Sequence, residues 1–307
     1  MKSIQRILGA VALLAVGVSA TVVFGKDARS DETITGKGTA GVYGHVNPDS
    51  IEFLSNEEQI NAAVSSNSPS LIWEVLEHAE KFECTSCIAS VAPLLYSNNS
   101  EVREISAWWL RRRVFGVFGE GEVYQQTLQT LKNDSNASRR AYAAYALGEF
   151  LVTPGIAACA EAVKTDSDPA VRAAAASALG RLNDDGAGAL SAAVVDSDVR
   201  VKLAGLKAVS RINKFTDVPA LVQTLADSDA KVRNSGVQTL EQVLAKDSSA
   251  SVIAIAKTDP DASVRASAAH ALGIFHDPAA RPALEALSAS DPNGFVRDAA
   301  AIALRRL

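Results

Sequence analysis

The sequence predicts an all-α fold, an α-solenoid or superhelix of stacked helix–turn–helix repeats, and three observations carry that expectation. The first is a repeat. Aligned on one late apolar position, the series Leu110, Leu147, Leu179, Val209, Leu240, Leu272 and Leu304 advances by 37, 32, 30, 31, 32 and 32 residues, a period typical of stacked supersecondary units. The second is a fixed polar pattern ahead of each anchor. Seven residues earlier stands a base: Arg103, Arg140, Arg172, Lys202, Arg233, Arg265 or Arg297. Four before that stands Asn99, Asn136, Asp168, Asp198, Asp229, Asp261 or Asn293. Asn and Asp accept hydrogen bonds from the orphan N–H groups of a first helical turn, so each marks a helix start. Six of the seven units carry another Asp two residues earlier: Asp134, Asp166, Asp196, Asp227, Asp259 and Asp291. The third observation is compositional. Hydrophobic residues make up 48% of the chain but aromatics only 6%, so small side chains dominate, as closely packed helices require. After a cap, apolar positions such as Val171, Ala174, Ala175, Ala178, Leu179 and Leu182 recur with helical spacing. A second apolar stretch follows (189–195, 218–226), and such a pair buries its apolar face only against its neighbours.

Along the chain, residues 1–20 read as a signal peptide. Lys2 and Arg6 precede the apolar run Ile7–Val18, and Val18 and Ala20 supply small residues at the −3 and −1 positions of a cleavage site. The run is shorter than the ~20 residues of a bilayer span, and no cysteine follows it to take a lipid anchor. An uncleaved signal anchor is the alternative; with cleavage the mature protein is expected to be exported, periplasmic or secreted, with no membrane attachment. Signal removal leaves 28 Lys and Arg against 35 Asp and Glu, a net charge of −7. That balance argues against nucleic acid as a partner, because phosphate contacts need clustered bases. Residues 21–55, polar and Gly-rich without periodicity, read as a flexible leader. Residues 56–96 read as degenerate capping helices, with one helix pair at 68–81 and 87–96 that lacks the Val-Arg motif and has Ser68 or Ser70 as its cap. Residues 97–307 form the array of about seven units, the last incomplete because Leu307 closes its first helix. The apolar end face so exposed suits a partner or self-association.

The pattern Asp-x-[Asp/Asn]-x-x-Val-Arg-x-x-Ala-x-x-Ala-Leu-Gly, seen in DPAVRAAAASALGRL (168–182) and DASVRASAAHALGIF (261–275), resembles the short HEAT repeats called PBS-lyase HEAT-like repeats. The resemblance covers residues 97–307 and implies the solenoid strongly and function weakly. In that family the Asp and Arg columns form a ladder through the solenoid, which implies structural pairing of Asp168 with Arg172 and, equivalently, Asp198 with Lys202, Asp229 with Arg233 and Asp261 with Arg265. Deoxyhypusine hydroxylases, family members with an iron centre, carry His-Glu pairs. Here His45, His78, His270 and His276 precede Val46, Ala79, Ala271 and Asp277, so the iron ligands are missing. Relatives in the PBS-lyase group attach or detach bilins, but no catalytic constellation for that chemistry is present. No cofactor or metal is expected.

Two stretches remain as candidate sites. In ECTSC, Cys84 and Cys87 form a C-x-x-C. Ile88 after Cys87 rules out a c-type haem anchor, and His78 would make only a third zinc ligand where four are needed. In an oxidising compartment a disulfide is the default, while a reactive pair, a metal and free thiols stay open. A helix start at Cys87 would lower a thiol pKa. Cys159 lies in an apolar run and reads as a small hydrophobe. The second stretch is WWLRRRVFGVFG (108–119), followed by the longest interval in the array. Trp109 takes a position that is Ala in most units and should pack inward; Trp108 falls in the outward column with Tyr145, Ser177, Lys207, Gln238, His270 and Ile302. One account makes this a junction whose aromatics fill a gap. The other makes Trp108, Arg111, Arg112, Arg113, Phe115 and Phe118 a protein-binding patch, since Trp and Arg are common interface anchors. Gly36-Lys37-Gly38-Thr39-Ala40-Gly41 matches G-x-G-x-x-G without the strand before it or the α/β unit after it that a phosphate loop needs.

The expected function is that of an exported, non-enzymatic scaffold holding a protein partner on its surface. The second helix of each unit is expected to line the concave face, with Gln125, Gln126 and Gln129 on one such helix. The alternative is a redox or cofactor-handling protein built on Cys84 and Cys87, or a relative of the bilin lyases.

Overall fold

The seven Asn and Asp residues each start a helix. The computed structural model describes residues 55–115, 121–182 and 186–307; the expected signal peptide, the expected leader up to residue 54 and Phe118 lie outside the described residues. The capped helices are α4 (Ser100–Arg111), α6 (Ala137–Phe150), α8 (Pro169–Leu182), α10 (Val199–Val209), α12 (Ala230–Gln242), α14 (Ala262–Phe275) and α16 (Gly294–Leu304). Each preceding Asn or Asp accepts a first-turn N–H at 2.7–3.0 Å. Such a cap contributes about 1 kcal/mol per helix.

These helices lie side by side in one layer, each against its successor. The second layer holds α5 (Glu122–Asn133), α7 (Gly155–Thr165), α9 (Ala187–Val194), α11 (Val218–Gln223), α13 (Ser249–Thr258) and α15 (Arg281–Ser290). Leucines and alanines of both layers, among them Leu147, Ala175, Leu179, Leu190, Leu240 and Leu284, are fully buried between them. Close approach within the capped layer requires glycine: a Cβ at Gly180 would stand 2.7 Å from Ala208 Cα, and one at Gly148 2.9 Å from Ala178 Cα. The Ala-Leu-Gly at the end of the repeat is thus a packing requirement.

Of its two second-layer neighbours, each capped helix from α6 to α14 packs more on the one before it in sequence, as α14 does on α13. In these contacts a second-layer helix and the capped helix after it form the tighter pair.

At the N-terminal end lie α1 (Glu57–Ser66), α2 (Pro69–His78) and α3 (Cys87–Val91), the last continued by a 3-10 turn over Ala92–Tyr96. Asn56 and Gln59 form a reciprocal capping box at α1. Ser68 begins α2 without a side-chain cap bond. Among the described residues no helix is long and apolar enough to cross a membrane.

Candidate functional site

The Asp–Arg ladder exists, but its rungs join neighbouring units and use the other Asp column. Arg172 donates from Nε and Nη2 to Asp196 of the next unit at 2.7 and 2.9 Å. Arg140–Asp166, Arg233–Asp259 and Arg265–Asp291 repeat this two-bond fork at 2.7–2.9 Å, and Lys202 pairs with Asp227. The expected pairs Asp168–Arg172, Asp198–Lys202, Asp229–Arg233 and Asp261–Arg265 do not form, because those carboxylates are the helix caps. The remaining guanidinium nitrogen, Nη1, donates to the carbonyl of the unit's own first-column Asp, as from Arg172 to Asp166 at 2.9 Å. That Asp also accepts the backbone N–H two residues on, as Asp166 does from Asp168 at 2.9 Å.

The rung carboxylates are 1–10% exposed and their bases 11–17%. Burial pushes Asp166, Asp196, Asp227 and Asp259 up, but the basic partner and the backbone N–H together outweigh it and hold each below the ordinary value. At Asp291 the Arg265 bond is the largest influence, again downward. These charges are spent on holding the array together.

The WWLRRRVF stretch divides. Trp109 is buried and donates from Nε1 to the Ala79 carbonyl at 3.1 Å. Arg113 is not a surface anchor: it is 1% exposed. Its guanidinium donates to the carbonyls of Trp109 (2.7 Å), Ala79 (3.0 Å), Glu80 (2.7 Å) and Phe82 (2.9 Å) and lies over the Trp109 ring, 3.9 Å from its centroid. The loop after α2 turns its carbonyls inward, and a five-donor cation satisfies them. Trp108 is half-buried against the core, and Arg111 is half-buried on the same helix. Arg112 is exposed and paired with Glu80 at 2.9 Å. Phe115 packs its ring 5.0 Å from Tyr124 and remains 37% exposed. The proposed patch therefore reduces to Trp108, Arg111, Arg112 and Phe115 among the described residues, with Arg113 moved to the interior.

Cys84 and Cys87 are disulfide-bonded, with Cα atoms 5.2 Å apart. Both are buried, at 3% and 0% exposure. Ser86 between them donates to Glu57 at 2.6 Å, tying this turn to α1. Burial pushes the free Cys159 thiol up to about 12. Among the described residues no three His, Cys, Asp or Glu side chains gather as a metal site. A cleft of about 430 Å³ opens between α1 and α2, lined by Gln59, Ala63, Leu71, Glu74, Val75 and His78 among others.

A family model described as HEAT repeats matches residues 124–210, 156–241 and 218–305, more than half of the chain. The chain belongs to the HEAT-repeat family. Solved HEAT-like and related solenoids share its fold at low identity. The Escherichia coli protein YibA is 17% identical with a TM-score of 0.58, over 82% of this chain and 93% of that one. Kap121p is 13% identical at a TM-score of 0.57, over 81% of this chain. Kap95p, solved in connection with its binding of RanGDP, is 13% identical at 0.59, over 80%. The chain spans 33% and 37% of the two karyopherin chains. At such identities the likeness is one of fold. No curated protein matches the sequence significantly.

Two features of this HEAT array escaped the sequence reading. Helix α1 was not singled out, although the Asn56–Gln59 capping box followed by Ile60, Ala63 and Val64 signals it. A second set of cross-unit bonds runs at the C-terminal ends of the capped helices: Arg181 to Glu149 at 2.5 Å, and Gln242 to the Ser210 carbonyl at 2.8 Å. Burial pushes the Glu149 carboxyl up against the opposing pull of Arg181. A charged residue at that column on successive units was the available signal. The outward column is half-buried at Trp108 and Tyr145 and exposed at Ser177, Lys207, Gln238, His270 and Ile302. Gln125, Gln126 and Gln129 on α5 are exposed as well.

Proposed function

We propose that this protein is an exported, non-enzymatic HEAT scaffold that holds a protein partner along the outward column of its capped helices. What supports this is the division of labour among its side chains. The rung residues, caps and small packing residues recur from unit to unit and are engaged within the array. The outward column sits on the same rigid spacing yet changes chemistry at every step, from Trp108 and Tyr145 to Lys207, Gln238, His270 and Ile302. A constant frame with a varied face is how a solenoid encodes recognition. Karyopherins with this fold illustrate the use, Kap95p binding RanGDP.

The buried disulfide acts in this reading as a staple of the first helices. Export rests on the n-region, apolar run and Val18-Ser19-Ala20. N-terminal sequencing of the mature protein should begin at Thr21. For recognition, the test is cross-linking in the native compartment with wild type and a Lys207→Glu, Gln238→Ala variant, both positions being exposed. One cross-linked partner should be lost in the variant while its melting temperature is unchanged. An unchanged cross-linking pattern would exclude this face.

A further inference from the structure

Between Asp198 and Asp217 stand five bases and no acid, in a chain whose net charge is −5. Two of the five serve the array: Arg200 pairs with the α10 cap Asp198, and Lys202 with Asp227. The other three, Lys207, Arg211 and Lys214, are exposed, and none forms an ion pair among the described residues. They fall two residues before, two after and five after the anchor Val209. No other unit places a base at more than one of these columns. The flanking helices offer no counter-charge. Helix α8 carries no acid, and the single acid of α12, Glu241, lies 3.0 Å from His270. Asp217, past Lys214, caps α11.

A base near a helix C-terminus is favoured by the helix dipole, which accounts for Lys207 in the last turn of α10. It does not account for the set. Lys207 and Arg211, one turn apart, repel each other, and Lys214 stands past the helix in the turn toward α11. An array that consumes its other bases in rungs thus keeps three like charges together and unpaired.

We propose that this patch receives an acidic, extended segment of the protein partner, a proposal that rests on the scaffold reading and gives its partner a chemistry. One helical turn sets Lys207 and Arg211 about 6 Å apart. Alternate side chains of an extended segment are about 6.6–6.8 Å apart on one face, so Asp or Glu at every second position meets both bases. The arginine fork takes one carboxylate in two parallel bonds. Ser177 on α8 and Gln238 on α12 flank Lys207 in the outward column, both exposed, and supply neutral partners for the backbone of the segment. A nucleic acid or an anionic lipid surface would extend past three bases and meet the rest of an acidic chain, which repels it. A short acidic segment meets the patch alone.

The test is fluorescence anisotropy of a labelled peptide of alternating Glu and Thr, with its Gln-Thr counterpart as control, titrated with the purified protein. Wild type should bind the Glu peptide at low salt, more weakly at high salt, and leave the Gln peptide free. Lys207→Gln with Arg211→Gln and Lys214→Gln should weaken binding about tenfold. Its melting temperature should stay the same or rise, because the like-charge repulsion is gone. Removing three exposed bases of the second layer, by Lys132→Gln, Lys164→Gln and Lys257→Gln, should leave binding unchanged. A wild type indifferent to the Glu peptide, or equal losses in the two variants, would overturn the proposal. So would tighter binding to phosphatidylglycerol vesicles or single-stranded DNA that the patch variant abolishes. A cross-linked partner lost in Lys207→Glu, with no peptide binding, would overturn the acidic segment and leave the scaffold standing. Peptide binding with no cross-linked partner would refute the scaffold and leave the acidic preference of the patch intact.

Discussion

Replacing Arg113 should unfasten the first helices without unfolding the array. The guanidinium holds four carbonyls, three of them in the Ala79–Phe82 loop. Hydrogen bonds to a charged group contribute about 1.5–3 kcal/mol each, but their sum overstates the loss, since Glu80 is only half-buried and water can reach its carbonyl. Leaving a buried carbonyl without a donor costs about 1–3 kcal/mol, and with part of the set open to water the total loss falls at about 3–5 kcal/mol. Arg113→Met keeps most of the volume in a column that holds Phe150, Leu182, Ile212 and Phe275 elsewhere, so it isolates the lost bonds at about 3 kcal/mol. Arg113→Ala adds a cavity and should reach the upper end of that range. In a repeat array such a loss falls on the nearest interface. All three tryptophans, Trp73, Trp108 and Trp109, lie in this region. In urea, fluorescence should therefore report an early transition of the variant, while far-UV circular dichroism keeps the wild-type midpoint for the remaining helices. A Met variant whose fluorescence and dichroism midpoints both coincide with wild type would refute the reasoning.

Opening the Cys84–Cys87 bond, by Cys84→Ser with Cys87→Ser, removes a loop with only two intervening residues, Thr85 and Ser86; the chain-entropy estimate is about 2 kcal/mol, confined to the same fluorescence transition. The ladder predicts acid sensitivity. The rung aspartates are held below their ordinary value of 3.8, so the stability they contribute is complete above that pH and is lost as pH falls through the lowered folded values. Thermal melts should show wild type losing stability below about pH 4, with a shallower loss in Arg172→Met and Arg233→Met. The glycines separate packing from propensity. Gly180→Ala meets Ala208 and should lose about 1–3 kcal/mol. Gly188→Ala, with nothing within 4 Å of a new Cβ, should gain up to about 1 kcal/mol in the same melts.

What the sequence discloses here is what the chain decides within a few residues. Caps at Asn99 through Asn293 and the Ala-Leu-Gly packing signature are local, and a regular period repeats the first seven times and the second three times. The rungs lie one step beyond that range. Asp168 and Arg172 are one helical turn apart, which makes them look like partners. But Asp168 is consumed by capping Ala170, and the arginine fork is left to reach Asp196, 24 residues on. Pairing there is set by the inter-unit spacing, which no local pattern encodes. Arg113 shows the same limit in reverse. Its column is apolar in other units and its charge suggests the surface, yet the inward carbonyls of a loop more than 30 residues earlier decide its position. Trp109 was readable because an alanine column predicts burial for whatever occupies it. The outward column carries the opposite lesson: its positions are fixed by the frame while its residues are free of it. The column is therefore where function can change without cost to the fold, and where a partner would leave its mark.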